Sequence, residues 1–239
     1  MGTKVVSIYQ PCYLPPMHYV ARIMASDVFV LLDDVQLNRK VGQARAKVVG
    51  PQGWQTLTVP LAGGNRVMLD EVKSDGYKWI RKHVNALKSA YGYKEGTKAK
   101  EWIDWLGLRL DYAEKRELLF SPMCDMLLRG ILEYLGWEGK YVVASKDSAV
   151  SATRGGDPSD RMLKITQVVG GTSYLCGEVA ANEYLDKKSF AQAGVDLLVQ
   201  DWKPTPYEQR AETFHANASI FDGLVMVPKD ELKRMLVDR

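Results

Sequence analysis

Residues 4–34 read KVVSIYQPCYLPPMHYVARIMASDVFVLLDD, and their order decides the fold. Lys4–Tyr9 is β-branched and mostly apolar, the composition of a strand buried on both faces. Gln10-Pro11 ends it, because proline removes a ladder donor. A turn runs through Pro15-Pro16, and Met17–Ala25 reads as a short helix with Val20, Ile23 and Met24 on one face. Asp27–Leu32 is a second continuous apolar run, stopped by Asp33-Asp34. Strand, short helix and strand within about thirty residues is the pattern of a βαβ unit. Its strands run parallel, so Gln10 and Asp33 leave the sheet at one carboxyl edge, where open α/β sheets bind ligands.

Outward from this unit the pattern changes. Arg45–Val49 and Gln55–Val59 flank Gly50-Pro51-Gln52-Gly53 and read as a hairpin. Ala62-Gly63-Gly64-Asn65 is a flexible connection. Residues 75–136 read as helical, with Tyr77, Ile80, Val84, Leu87 and Tyr91 spaced at three and four. His83 and the neighbouring lysines form the solvated side. Ser121-Pro122 starts a further helix that Gly136 stops. Asp157 caps another helix, followed by a strand at Thr172–Cys176. Ser189–Ala193 and Val195–Val199 repeat the helix–strand order, and Pro228–Arg239 reads as a short charged peripheral helix. Together these segments predict an α/β protein of one domain, 1–239. A Rossmann-like, mostly parallel sheet carries a β-hairpin and an inserted helical subdomain at 75–136.

The composition narrows the function classes. With 46% hydrophobic and 26% charged residues among 239, the chain matches ordinary soluble proteins. A net charge of +3 is too small for a broad polyanion-binding face. The three cysteines, Cys12, Cys124 and Cys176, are far apart and odd in number, which fits free thiols. With His18, His83 and His215 they show no zinc-ligand spacing. No apolar run reaches the roughly 20 residues of a membrane span. No signal pattern precedes Lys4. The expected location is the cytoplasm.

Asp33 and Asp34 are the leading candidates for chemistry. Adjacent acids after a buried strand can hold Mg²⁺ with substrate phosphates or act as a general base. Equally, they can end the strand and cap the next segment. As catalytic residues they would be expendable for stability, so Asp→Asn at either position would leave thermal stability nearly unchanged. Gln36, Asn38, Arg39 and Lys40 come next, with donors and cations suited to an anion. His18, near a helix N-terminus, can contact a phosphate or pack on the surface. Arg45 and Lys47, two apart on a strand, share a side that fits a phosphate or carboxylate, or simply an exposed hairpin face. Cys176 reads as a thiolate nucleophile or as a small buried apolar residue. Capping accounts equally for Asn217, Ser219 and Asp222.

Gln10-Pro11-Cys12-Tyr13-Leu14-Pro15, then Asp27-Val28-Phe29-Val30 and Asp33-Asp34-Val35-Gln36, resemble the opening signature of the WbqC-like family. The resemblance continues through Trp54–Pro60, Tyr174-Leu175-Cys176-Gly177, Pro206-Tyr207-Glu208-Gln209 and Ser219-Ile220-Phe221-Asp222. Pro16, His18, Cys176 and the alanines flanking Arg45 depart from the family pattern. The resemblance implies a role in O-antigen, surface-polysaccharide or related biosynthesis. It implies transfer of an aminoacyl or acyl group, glycyl included, to an amine of an amino sugar, carried on a nucleotide sugar. Gln10, Gln36, Arg45, Lys47, Tyr207 and Gln209 would bind substrate, and Asp33, Asp34 and His18 would catalyse.

A partial second likeness is to nucleotidyltransferase-type and pantothenate-synthetase-type enzymes, whose H-x-G-H turn binds ATP phosphates. Only His18 answers to that turn here. This likeness implies ATP with Mg²⁺ as cofactors for acyl activation. The competing reading is a non-catalytic ligand-binding or assembly protein of such a pathway. An aminoacyl-tRNA donor is a third possibility. The oligomeric state is not encoded in any pattern.

Overall fold

A computed structural model describes residues 2–39, 42–64 and 67–237. Here β1 (Val5–Tyr9), α1 (Met17–Met24) and β2 (Val28–Leu31) form the expected βαβ unit, with Val6 paired to Val28 and Tyr9 to Leu31 in parallel register. The hairpin is β3 (Arg45–Gly50) with β4 (Gly53–Thr58). The helical block divides into α2 (Lys78–Tyr91), α3 (Lys98–Lys115) and α4 (Phe120–Leu135). Next come β5 (Lys140–Val143), α5 (Ser148–Ser151), α6 (Pro158–Val168), β6 (Ser173–Cys176), α7 (Glu178–Glu183), α8 (Lys187–Gln192) and β7 (Asp196–Val199). The chain closes with α9 (Ile220–Met226) and α10 (Lys229–Val237).

All the strands but the hairpin form one parallel sheet in the order β5-β2-β1-β6-β7. Apolar residues lie on both faces, as a sheet covered by helices on each side requires. Phe29 and Leu31 of β2 enter one core with α1–α4, α9, α10 and the hairpin. Val28 and Val30 enter the other, beneath α5, α6 and α8. Each of these fully buried side chains contributes about 2 kcal/mol by leaving water.

Local chemistry sets the helix ends. Asp157 accepts from the N–H groups of Ser159 and Asp160, and Gly136 takes the left-handed conformation (φ 70°) after α4. α4 begins one residue before Ser121, with Leu119 at its cap position. β5 gave no sequence signal: four residues are too short a run to separate a buried strand from a loop. Asn65, in the expected connection, lies outside the described residues.

Two expectations are corrected. The final helix is not peripheral: Leu232, Met235 and Leu236 are buried, and Trp202 Nε1 donates to the Met235 carbonyl at 2.7 Å. Its charged residues occupy one face only, and the apolar face supplies the packing. Arg239 and Asp238 lie outside the described residues.

His83 is likewise buried, not solvated. Its Nδ1 is 3.1 Å from Tyr13 Oη and its Nε2 is 3.2 Å from the Thr58 carbonyl. The carbonyl can only accept, so Nε2 carries the proton and Nδ1 accepts from the phenol. Burial lowers the His83 pKa to about 4, against an upward pull from the Thr58 carbonyl. The unfolded chain therefore binds more protons than the folded one between pH 4 and about 6.5, and stability rises with pH across that window. Its contribution is complete above about pH 6.5 and is lost as pH falls through about 4, an effect of about 3 kcal/mol. Denaturation at pH 7 and pH 5 should show wild type losing more stability on acidification than His83→Gln. Equal losses would contradict a buried neutral imidazole.

Candidate functional site

Successive strands β1, β2 and β5 step one way across the sheet, and β6 and β7 step the other. The reversal falls between β1 and β6. At such a switch point the outgoing loops diverge and open a crevice at the carboxyl ends of the strands. Gln10-Pro11 leaves β1 on one side of it, Gly177 leaves β6 on the other, and α1 carries His18 and Arg22 beside it.

His18 and Arg22 are four apart, so they share a face of α1. The half-buried His18 is held by Asn217, whose Oδ1 receives the His18 backbone N–H at 3.1 Å and lies 2.9 Å from Nδ1. The backbone donor identifies that amide atom as the oxygen. Since it can only accept, Nδ1 carries the ring proton and Nε2 keeps its lone pair. Nε2 has no hydrogen-bond partner among the described residues. Burial lowers the His18 pKa, with the Asn217 bond pulling it up and the Arg22 charge pulling it down. The ring at neutral pH is thus a neutral base. Asn217 presents its amide from a left-handed backbone (φ 58°), which asparagine tolerates better than most residues.

Arg22 is 8% exposed, with its guanidinium carbon 4.4 Å from the Tyr9 ring centre. Its Nε and Nη2 donate to Gln200 Oε1 at 2.9 and 2.8 Å, while Gln200 Nε2 donates to the His18 carbonyl at 2.9 Å. A Cβ on Gly177 would stand 2.6 Å from Nη2, so the guanidinium lies against the turn after β6 and glycine makes room for it. Burial raises the Tyr9 pKa to about 12 despite the nearby Arg22 charge, so its phenol stays protonated.

Gln10 carries the site toward the hairpin. Its Oε1 accepts from Gln43 Nε2, and Gln43 Oε1 is buried without a partner. Gln43, Arg39 and Arg45 line a cavity of about 230 Å³ between residues 37–39, residues 42–45 and the end of β4. Arg45 donates to the Arg39 carbonyl at 3.0 Å, and Arg39 donates to the Gly63 carbonyl at 2.6 Å. Lys47 shares the exposed side of β3 with Arg45, as expected, but lies over the Trp54 ring at 5.4 Å and does not line that cavity. Gln36 pairs with Met68 in an isolated bridge, and Lys40 lies outside the described residues.

Asp33 and Asp34 reach the carboxyl edge with their oxygens already engaged. Asp33 Oδ1 accepts from Ser145 N at 2.8 Å, and Oδ2 from Ser145 Oγ at 2.7 Å and Ser121 Oγ at 3.3 Å. Asp34 pairs through Oδ1 with Arg161 Nη2 and through Oδ2 with Arg154 Nε, both at 2.6 Å. For Asp34 this arrangement runs against the expectation that Asp→Asn would leave stability unchanged, because its buried ion pair with Arg161 is costly to break. It also fits Mg²⁺ poorly, since both Asp34 oxygens are taken by cations.

The remaining candidates are buried or half-buried. Asp222, with no exposed surface, accepts from Tyr91 Oη, from Tyr207 Oη at 2.6 Å and from Gln209 Nε2 at 3.1 Å. Gln209 also grips both backbone groups of His215, at 2.7 and 3.1 Å. Tyr207 and Gln209 thus anchor the loop that presents Asn217 and do not adjoin His18. Of the short polar trio, Ser219 alone caps α9. Cys176 points into the core beneath α5, α6 and α8, and burial raises its thiol pKa. That is the environment of an inert cysteine.

The model of the WbqC-like protein family matches residues 10–234. The chain belongs to the WbqC-like family. Uncharacterized protein Rv1507c of Mycobacterium tuberculosis (strain ATCC 25618 / H37Rv) is 27% identical over 227 residues, covering 94% of each chain. The match therefore takes in the switch-point crevice, the hairpin cavity and the Asn217 loop of this WbqC-like chain alike. Among its described residues no helix is long and apolar enough to cross a membrane.

Arg22, Gln200 and Gln43 escaped the sequence reading, and Asn217 entered it only as a capping residue. One signal for Arg22 was available: a cation four residues after His18 in an otherwise apolar helix. Gln200 stands directly after β7, at the same carboxyl edge. The contact of Asn217 with His18 had no local signal, because the two are 199 residues apart.

Proposed function

We propose that this WbqC-like protein is an enzyme of a biosynthetic pathway that transfers an acyl or aminoacyl group to an amine of a sugar-like acceptor. The observation that carries the reading is the neutral His18 ring, with its proton fixed on Nδ1 by Asn217 and Nε2 left as a lone-pair acceptor. An ammonium must lose a proton before it can attack a carbonyl, and a positioned imidazole accepts it. The freed nitrogen then forms a bond to the acyl carbon, and the bond from that carbon to its leaving group breaks. Family membership supports the biosynthetic setting. His18 departs from the family pattern, so this base is assigned to this chain and not to its relatives. Asp33 and Asp34 serve as positioning residues, holding the end of β2 against the segment after β5.

Incubation of the full chain with an amino-sugar nucleotide and three donor types tests the reading. The donors are an amino acid with ATP, an acyl thioester and aminoacyl-tRNA. The expected result is an acceptor heavier by one acyl group with at least one donor. No amide with any donor, and no thermal shift with any of these small molecules, would favour the assembly role instead.

A further inference from the structure

We propose that Arg22 is the substrate's anion anchor: a phosphate or carboxylate of the substrate seats on its guanidinium in the β1–β6 crevice. The inference rests on the proposed transferase reading for the identity of the substrate, and on geometry alone for the site. A guanidinium cannot be deprotonated in a protein, and a buried one is normally paired with an acid. Arg161 and Arg154 obey that rule through Asp34. Arg22, at 8% exposure, does not: among the described residues no carboxylate lies within ion-pair distance, and a neutral amide holds it. Gln200 engages the Nε side of the fork, and the other group in contact with the guanidinium, Tyr9, is a neutral phenol. The guanidinium carbon stands 4.4 Å from the centre of the Tyr9 ring. This is a cation oriented in advance and lacking its counter-ion, at the place where open α/β sheets take ligands. Gln200, the partner of Arg22, also lines a cleft of about 250 Å³ with Ala21, Ala25, Leu175 and Leu198, which Arg22 itself does not line.

The full-length protein is titrated with inorganic phosphate, acetate and glycine by calorimetry. Tighter phosphate binding assigns a phosphate ester, and tighter binding of acetate or glycine assigns a carboxylate. Binding of none of the three overturns the proposal. Arg22→Gln should weaken the preferred anion about ten- to hundredfold, the worth of a charged hydrogen bond. Should Arg22→Gln fail to fold, two other variants decide. Arg22→Lys keeps the charge without the fork and should weaken binding less. Gln200→Glu supplies the missing carboxylate, and should abolish anion binding while raising thermal stability. Anion binding unchanged in Gln200→Glu and Arg22→Lys would place the anion elsewhere and overturn the assignment. His18→Gln separates the two claims: loss of turnover with phosphate or acetate binding retained supports both. Full turnover in that variant sinks the His18 base and leaves the Arg22 site standing.

Discussion

Asp34→Asn is expected to lower the unfolding free energy by roughly 3–5 kcal/mol, the cost of breaking a buried ion pair from one side. For a chain of this length that is a fall in Tm on the order of 10 °C. The loss arises mainly from Arg161, which is 7% exposed and would keep its charge without a partner. Arg154 has 45% of its side chain exposed and recovers by hydration, so it contributes little. A double-mutant cycle with Arg161→Met identifies the cause. Removing the stranded cation should return a large part of the stability lost by Asp34→Asn alone. Additive losses, or a single variant that melts with wild type, would show that the pair does not hold β2 to α6.

His18→Gln is expected to reduce amide formation by about 10²- to 10⁴-fold, the usual range for a positioned general base, with little change in Tm. The pH dependence gives the sharper readout. The base form exists above the folded-state pKa, which lies below the ordinary 6.5. Wild-type turnover should therefore be flat near neutrality and fall only at lower pH. His18→Gln should lose that acid limb. Asn217→Asp places a carboxylate against Nδ1, favours the imidazolium, and should move the limb to higher pH. A wild-type profile with no acid limb, or one unchanged in Asn217→Asp, would remove His18 from the proton transfer.

Much of the fold was legible because its signals are local. The run Val5–Tyr9, the helix at Met17 and the run Val28–Leu31 each declare themselves within a few residues, and a parallel pairing follows from their order. The cap at Asp157 and the stop at Gly136 were readable for the same reason. The site was less legible, because its decisive contacts join distant residues. Asp33 and Asp34 looked like free acids until Ser145, Arg154 and Arg161 arrived from more than a hundred residues away. His83 looked like one more polar residue on a lysine-rich helix until Tyr13 closed over it. The unpaired charge of Arg22 is an absence, and no local pattern announces an absence.

The most direct measurement is a pH titration of His18 by ¹⁵N-resolved imidazole NMR, with and without inorganic phosphate. In the free protein the ring should be neutral at pH 7, with its proton on Nδ1 and a pKa below 6.5. Phosphate seated on the neighbouring Arg22 brings negative charge toward the ring and should raise that pKa. A proton on Nε2 or an imidazolium at pH 7 would contradict the His18 base at the centre of the account, and a His18 titration indifferent to bound phosphate would contradict an anion seated on Arg22.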